Sequence, residues 1–308
     1  MSILFFKPIA RKAIWGHTLV KEYFGYDDFE EGIGQSWSFS TQKQASNVCE
    51  SEPFQGKTLR ELWEDHQELF GHPGEPFPVI ISLVGPEDDL SIQVHPDKAH
   101  AAKLGFPDGK NEAWYFIEAE EGANIVYGHN ARDEQDMRQY IAEDRWDDLI
   151  RHLDVRKDDF VYLPAGLLHA MRKGVVAYEI QQATDITYRF YDYKRTDGEG
   201  KQRELHLEQA IGCLSYDPEM MKNEIKPETI SMNNVEKTVY ISNDSFTVTK
   251  LEIGGECHLS FDNYELATVI RGSGMADGKK VKTGDNFLIP RGTTVSFSGH
   301  MTIMMTTK

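Results

Sequence analysis

A mainly β architecture, with two barrel-like blocks in tandem and a helical insertion in the first, follows from three observations. Short runs of branched and aromatic residues recur along the chain, turn residues interrupt them at close intervals, and the second half repeats a motif of the first. Many short strands with frequent punctuation indicate a sandwich or barrel, not alternating β-α units.

In the first block, the runs 79–84, 91–94, 113–117, 124–127, 160–163 and 175–180 predict strands, bounded by Gly85-Pro86, Asp108-Gly109, Gly128 and Gly166. Three segments have helical spacing instead. Leu59, Leu62, Trp63 and Leu69 share a face in 58–70, and Leu207, Ala210 and Ile211 do so in 206–214. Between them, Met137, Tyr140, Ile141, Leu149, Ile150 and Leu153 recur at three and four residues, which predicts helix across about 133–153. The second block begins near Ile230, with strands predicted at 240–242, 246–248, 267–270 and 286–289. The charged stretch 217–228, with Pro218 and Pro227, is the predicted linker, so the expected division is 1–228 and 229–308.

Asp159-Phe160-Val161-Tyr162-Leu163-Pro164-Ala165-Gly166 runs on to His169, and Asp285-Asn286-Phe287-Leu288-Ile289-Pro290-Arg291-Gly292 runs on to Val295. One copy keeps a metal-capable side chain and the other has a valine. One active site per chain is therefore expected.

The 308 residues carry a net charge of -17, which argues against nucleic acid or an anionic membrane as the main partner. An anionic substrate would need a local patch of positive charge. Three widely spaced cysteines form no framework and fit a reducing compartment. The start of the chain does not read as a signal peptide, and no apolar run is long enough to span a bilayer. A cytoplasmic protein is expected, as a monomer or weak homodimer.

Gln93 and His95 are two apart on a predicted strand, so both can point to one side. Glu112 opens the next strand, and His169 closes the Pro164-Ala165-Gly166 turn. One amide oxygen, two imidazoles and one carboxylate form a mixed set that suits zinc, while iron or manganese would also fit. Taken singly, a histidine is more often a satisfied core residue and a glutamate a solvated one. The spacing and the repeat that lost its histidine add weight. The other histidines, His129 among them, are expected mostly at the surface.

Gln93-Val94-His95-Pro96, Gly109-Lys110-Asn111-Glu112-Ala113-Trp114 and Pro164-Ala165-Gly166-Leu167-Leu168-His169-Ala170 resemble the cupin signatures of type I mannose-6-phosphate isomerases. Lys12-Ala13-Ile14-Trp15-Gly16, Glu179-Ile180-Gln181-Gln182 and the run 187–195 resemble the short bacterial form of that family. The resemblance covers roughly residues 7–215 and is weaker beyond. His17 departs from it, since that form often has glycine there.

The resemblance implies tandem cupin (jelly-roll) β-barrels, one zinc ion per chain on Gln93, His95, Glu112 and His169, and a small sugar phosphate as substrate. It implies that Arg189, Lys110 and Glu179 act in catalysis and that Trp15, Ser91, Lys110 and Arg189 contact the substrate. The implied reaction is interconversion of mannose 6-phosphate and fructose 6-phosphate through a cis-enediolate. Glu179, Lys110 and a metal-bound hydroxide all remain open as the carbon base. A metal-dependent dioxygenase and a non-catalytic sugar-binding cupin are the rival readings. Taken alone, Arg189 could pair with Asp185 or Asp192, Trp15 could be core, and Lys110 could be solvated in its loop.

Overall fold

A computed structural model describes residues 2–184, 186–196 and 200–308. The first block is two facing sheets. A six-stranded sheet runs in the order Phe160–Leu163, Glu112–Ala119, Val175–Gln182, Val79–Val84, Ile33–Phe39, Ile9–Lys12. A five-stranded sheet runs Ile150–Asp154, Asn124–His129, His169–Ala170, Ile92–Val94, Tyr188–Tyr191. Between them lies an apolar cluster that includes Trp114, Phe116, Ile125, Tyr127 and Leu163.

The second block is a nine-stranded sheet centred on the long strands Glu265–Ala276 and Thr293–Thr307. Val295, at the position matching His169, is fully buried among Phe287, Ile289 and Phe297, so hydrocarbon fills the second copy's site. The described residues hold one His/Cys/Asp/Glu cluster close enough to bind a metal ion, and it lies in the first block.

Three expectations change. The predicted helix over 133–153 is a helix at Glu134–Ala142, one turn at Trp146–Leu149, and then a strand, Ile150–Asp154, paired with Asn124–His129. Ile150 and Leu153, three apart, fit the helical spacing, and it is the register shift between Ile150 and His152 that sets them opposite His129 and Ile125, on one face of the ladder. The expected boundary after 228 does not separate the blocks cleanly, because Leu4–Phe5 pairs with Asn286–Ile289 of the second sheet. The stretch 217–228 is no loose tether, since Met221 is buried in the first block's core.

One hydrophobic cluster joins Leu59, Tyr115 and Tyr178 to Tyr240, Phe246, Tyr264 and Met304, so the blocks share a core. The helix Leu59–Asp65 enters that core behind a capping box: Glu61 N donates to the Thr58 hydroxyl at 3.2 Å, and Thr58 N donates to the Glu61 carboxylate at 2.7 Å. Such a cap stabilises a helix by ~1 kcal/mol.

Candidate metal centre and active site

The candidate ligands come from both sheets. On the five-stranded sheet, Gln93 lies directly opposite His169 in one ladder and Arg189 in the next. Directly paired residues share a sheet face, so all three point the same way. On the six-stranded sheet, Glu112 is paired with Gln181, and Trp114 with Glu179, which is paired in turn with Ser82. The period of two puts these five on one face as well.

His95, Glu112 and His169 are each 1% exposed, and their ligating atoms lie within 4.8 Å of one another. His95 Nε2 is 3.1 Å from Glu112 Oε1, and His169 Nε2 is 3.4 Å from Glu112 Oε2. Each imidazole is oriented from behind by a backbone carbonyl. His95 Nδ1 donates to Ile186 O at 2.8 Å, and His169 Nδ1 donates to Leu167 O at 2.9 Å. A carbonyl only accepts, so Nδ1 carries the hydrogen and each Nε2 presents a lone pair.

Burial, followed by the charge of Lys110, pushes His95 down to about 4, so it is neutral. Burial pushes Glu112 upward, but Lys110 and the imidazoles outweigh it and hold the carboxyl well below the usual range. Lone pairs from two neutral imidazoles and a carboxylate therefore converge in a buried space. Among the described residues, His95 Nε2, His169 Nε2 and Glu112 Oε2 have no hydrogen-bond partner. Three acceptors facing one another repel unless a cation lies between them. The donor set fits a divalent metal, and the carbonyl-backed histidines are the usual support for one.

Lys110 is only 6% exposed, and its Nζ lies 3.0 Å from Glu112 Oε1, so it is not the solvated loop lysine. Gly109 makes this possible: a Cβ there would sit 2.6 Å from Lys98 N, and Lys110 N donates to Pro96 O at 3.1 Å. The excursion from 97 to 109 is thus closed at its base, between His95 and Lys110. Glu179 accepts from Trp114 Nε1 at 3.1 Å, Ser82 Oγ at 2.5 Å and Gln181 Nε2 at 3.0 Å. Burial, reinforced by the charge on Glu112, pushes it up to about 6.

Arg189 does not pair with Asp192, whose carboxylate is held by Arg195 and Arg203. Asp185 lies outside the described residues. Arg189 Nη1 donates to Glu204 O at 2.8 Å, and its buried Nε has no partner among the described residues. Ser91 is buried two residues before Gln93. Trp15 is 8% exposed in the apolar cluster with Trp114, its ring against Gly34, where a Cβ would meet it at 2.3 Å. It is packed as core and is not among the converging polar groups.

His129, expected at the surface, is buried and bonded through Nε2 to Ser215 O at 3.0 Å. The donors around Glu179 went unnoticed in the sequence. Ser82, a hydroxyl inside the otherwise apolar run 79–84, was the available signal.

Residues 3–123 match the catalytic domain of phosphomannose isomerase type I. The chain is 38% identical over 296 residues to mannose-6-phosphate isomerase ManA of Bacillus subtilis (strain 168), covering 94% of this chain and 93% of that protein. The chain belongs to the type I mannose-6-phosphate isomerase family. Another member, the mannose-6-phosphate isomerase of Streptococcus mutans, is 36% identical over 293 residues, covering 93% of this chain and 92% of that one. The crystal structure of the Bacillus subtilis mannose 6-phosphate isomerase superposes with a TM-score of 0.95 at 34% identity, covering all of both chains. The mainly β, tandem cupin architecture expected for a type I isomerase is the architecture observed.

Proposed function

We propose that the chain interconverts mannose 6-phosphate and fructose 6-phosphate, with one zinc ion held by His95, Glu112, His169 and Gln93. The observation that carries this reading is the convergence of three unpartnered acceptor atoms in a buried site, in a chain that belongs to this family. Zinc bound there would supply Lewis-acid polarisation of the sugar's carbonyl and adjacent hydroxyl oxygens.

The protein's own groups do the remaining work. The reaction takes a proton from one of C1 and C2 and returns it to the other while a hydroxyl proton passes between O1 and O2, moving the carbonyl without net oxidation. Glu179 is the base in this reading. A base working near neutrality needs a proton affinity raised from the ordinary carboxylate, as burial raises this one. Lys110 is paired as an ammonium with Glu112, so it serves as a cation and stabilises oxyanion character in the cis-enediolate. Arg189, with its free Nε–H and fixed charge, binds the anionic substrate. Ser91 and Trp15 shape the surroundings.

All these groups come from one chain, so a monomer suffices for activity. Among the described residues no helix is long and apolar enough to cross a membrane, and the three cysteines are unpaired, which supports the cytoplasmic reading. Family membership favours isomerisation over oxygen activation or mere sugar binding. The test is incubation of the purified protein with mannose 6-phosphate, with fructose 6-phosphate coupled to a reporter enzyme. Turnover is expected, and its absence from zinc-loaded, folded protein would overturn the proposal.

A further inference from the structure

Asp192 lies just beyond the strand Tyr188–Tyr191 and is only 3% exposed. Arg203 grips its carboxylate with two parallel bonds, Nε to Oδ2 at 2.7 Å and Nη2 to Oδ1 at 2.6 Å. Arg195 Nη2 adds a third at 2.5 Å. Paired bonds of this kind fix direction as well as distance. They join the two ends of the excursion that leaves the strand at Asp192 and returns into the helix Leu207–Cys213.

The returning end then holds Arg189. One residue beyond Arg203, the Glu204 carbonyl accepts from Arg189 Nη1 at 2.8 Å. His206 Nδ1 accepts from Arg189 N at 3.2 Å, and His206 N donates to Arg189 O at 2.8 Å. Arg189 is thus set by residues 204 and 206, whose approach is anchored through Arg203 to Asp192. Three arginines lie together here. Burial, then the charge of Arg203, depresses the proton affinity of Arg189, and Asp192 opposes that effect. What is left over on Arg189 is the buried, unpartnered Nε.

We infer that Asp192 and Arg203 are positioning residues for Arg189, acting through the Glu204 carbonyl to fix where its free Nε–H points. The inference rests on the proposed role of Arg189 toward the sugar phosphate. Displacing a group in an active site by about 1 Å lowers rates by ~10²-fold. Asp192→Asn and Arg203→Lys are therefore expected to lower kcat/KM by roughly ten- to a hundredfold while metal content stays unchanged.

A purely structural role would give similar single-variant losses, so the decisive readout is a double-variant cycle. In the Arg189→Ala background, adding Asp192→Asn or Arg203→Lys is expected to change kcat/KM by less than about threefold, because the group they position is gone. Losses that multiply, or single variants with full kcat/KM, would overturn the inference. If Asp192→Asn fails to fold, the Arg203→Lys arm, which keeps the charge, decides alone.

A second measurement needs no turnover. The Arg189 Nε–H signal in a spectrum of ¹⁵N-arginine protein, assigned by its loss in Arg189→Ala, is expected to shift in Arg203→Lys, and an unmoved signal would contradict the inference. Full turnover in Arg189→Ala would instead sink the role proposed for Arg189 and leave this spectrum to judge the positioning.

Discussion

Two imidazole lone pairs and a carboxylate have no reason to share a dry space unless a cation joins them. His169→Ala removes one of these donors, so the variant is expected to lose bound metal and turnover together. Arg189→Ala is expected to keep its metal and lose roughly ten- to a hundredfold in kcat/KM, the scale of one lost charge-assisted hydrogen bond to the substrate. Metal analysis beside the coupled assay separates the two, and normal turnover in the arginine variant would remove it from the mechanism. As the proposed base, Glu179 is expected to set the acid side of the pH profile. It must be ionised to accept a proton, so kcat should rise with pH through a limb at or below about 6, a cation on Glu112 pulling the value down. The stability effect has the opposite sign. A carboxyl raised from 4.5 to about 6 stabilises the fold when protonated, fully below about 4.5, and this is lost as pH rises through about 6. Glu179→Gln should abolish the kinetic limb, and an unchanged limb would exclude it as the base. Of these residues, Gln93 and His95 were legible because a period of two is local. Lys110 is named by the family resemblance, but its burial is not legible, since that depends on the neck at Gly109, which no local pattern reports.

Elements bring the donors together. The six-stranded sheet carries Glu112 and Glu179, the five-stranded sheet carries Gln93, His169 and Arg189, and the 97–109 excursion is cinched at Gly109 beside Lys110. Gly109→Ala would force a methyl group to within 2.6 Å of Lys98 N. Overpacking of this kind destabilises by roughly 1–3 kcal/mol, and here the displacement reaches Lys110 directly. A lower melting temperature with weakened zinc affinity is expected, measured by calorimetry and metal titration, whereas an unaltered zinc affinity would show that the neck does not govern Lys110. Strands in the two blocks were largely readable from branched and aromatic runs. The stretch from Ile150 reads as helix because Ile150 and Leu153 are three apart, and the irregular register that brings both to one strand face depends on pairing with Asn124–His129. Ile33–Phe39 carries a weak apolar signal because Gly34, Gln35, Ser36 and Ser38 dilute it, and Ile9–Lys12 ends in the charged pair Arg11 and Lys12.

At the scale of the whole molecule, the second block completes the first. Tyr240, Phe246, Tyr264 and Met304 pack in the same cluster as Tyr115 and Tyr178, and Leu4–Phe5 is a strand of the second sheet. Residues 1–228 alone would expose that cluster, so they are expected to aggregate or stay unfolded, and the full chain to unfold in one calorimetric transition. Two separate transitions would contradict the shared core. The repeated Pro-x-Gly turn made the tandem arrangement legible, but the shared core was hidden, since contacts between distant segments leave no periodicity. The claim beneath all of this is that the buried His95, Glu112 and His169 cluster holds the metal on which isomerisation depends. The most direct test is to strip the protein with a chelator and titrate zinc back while following fructose 6-phosphate formation from mannose 6-phosphate. Activity should be absent at first and rise linearly to a plateau at one zinc per chain, with no recovery in His169→Ala; full turnover in the stripped protein, or equal recovery in that variant, would contradict the account.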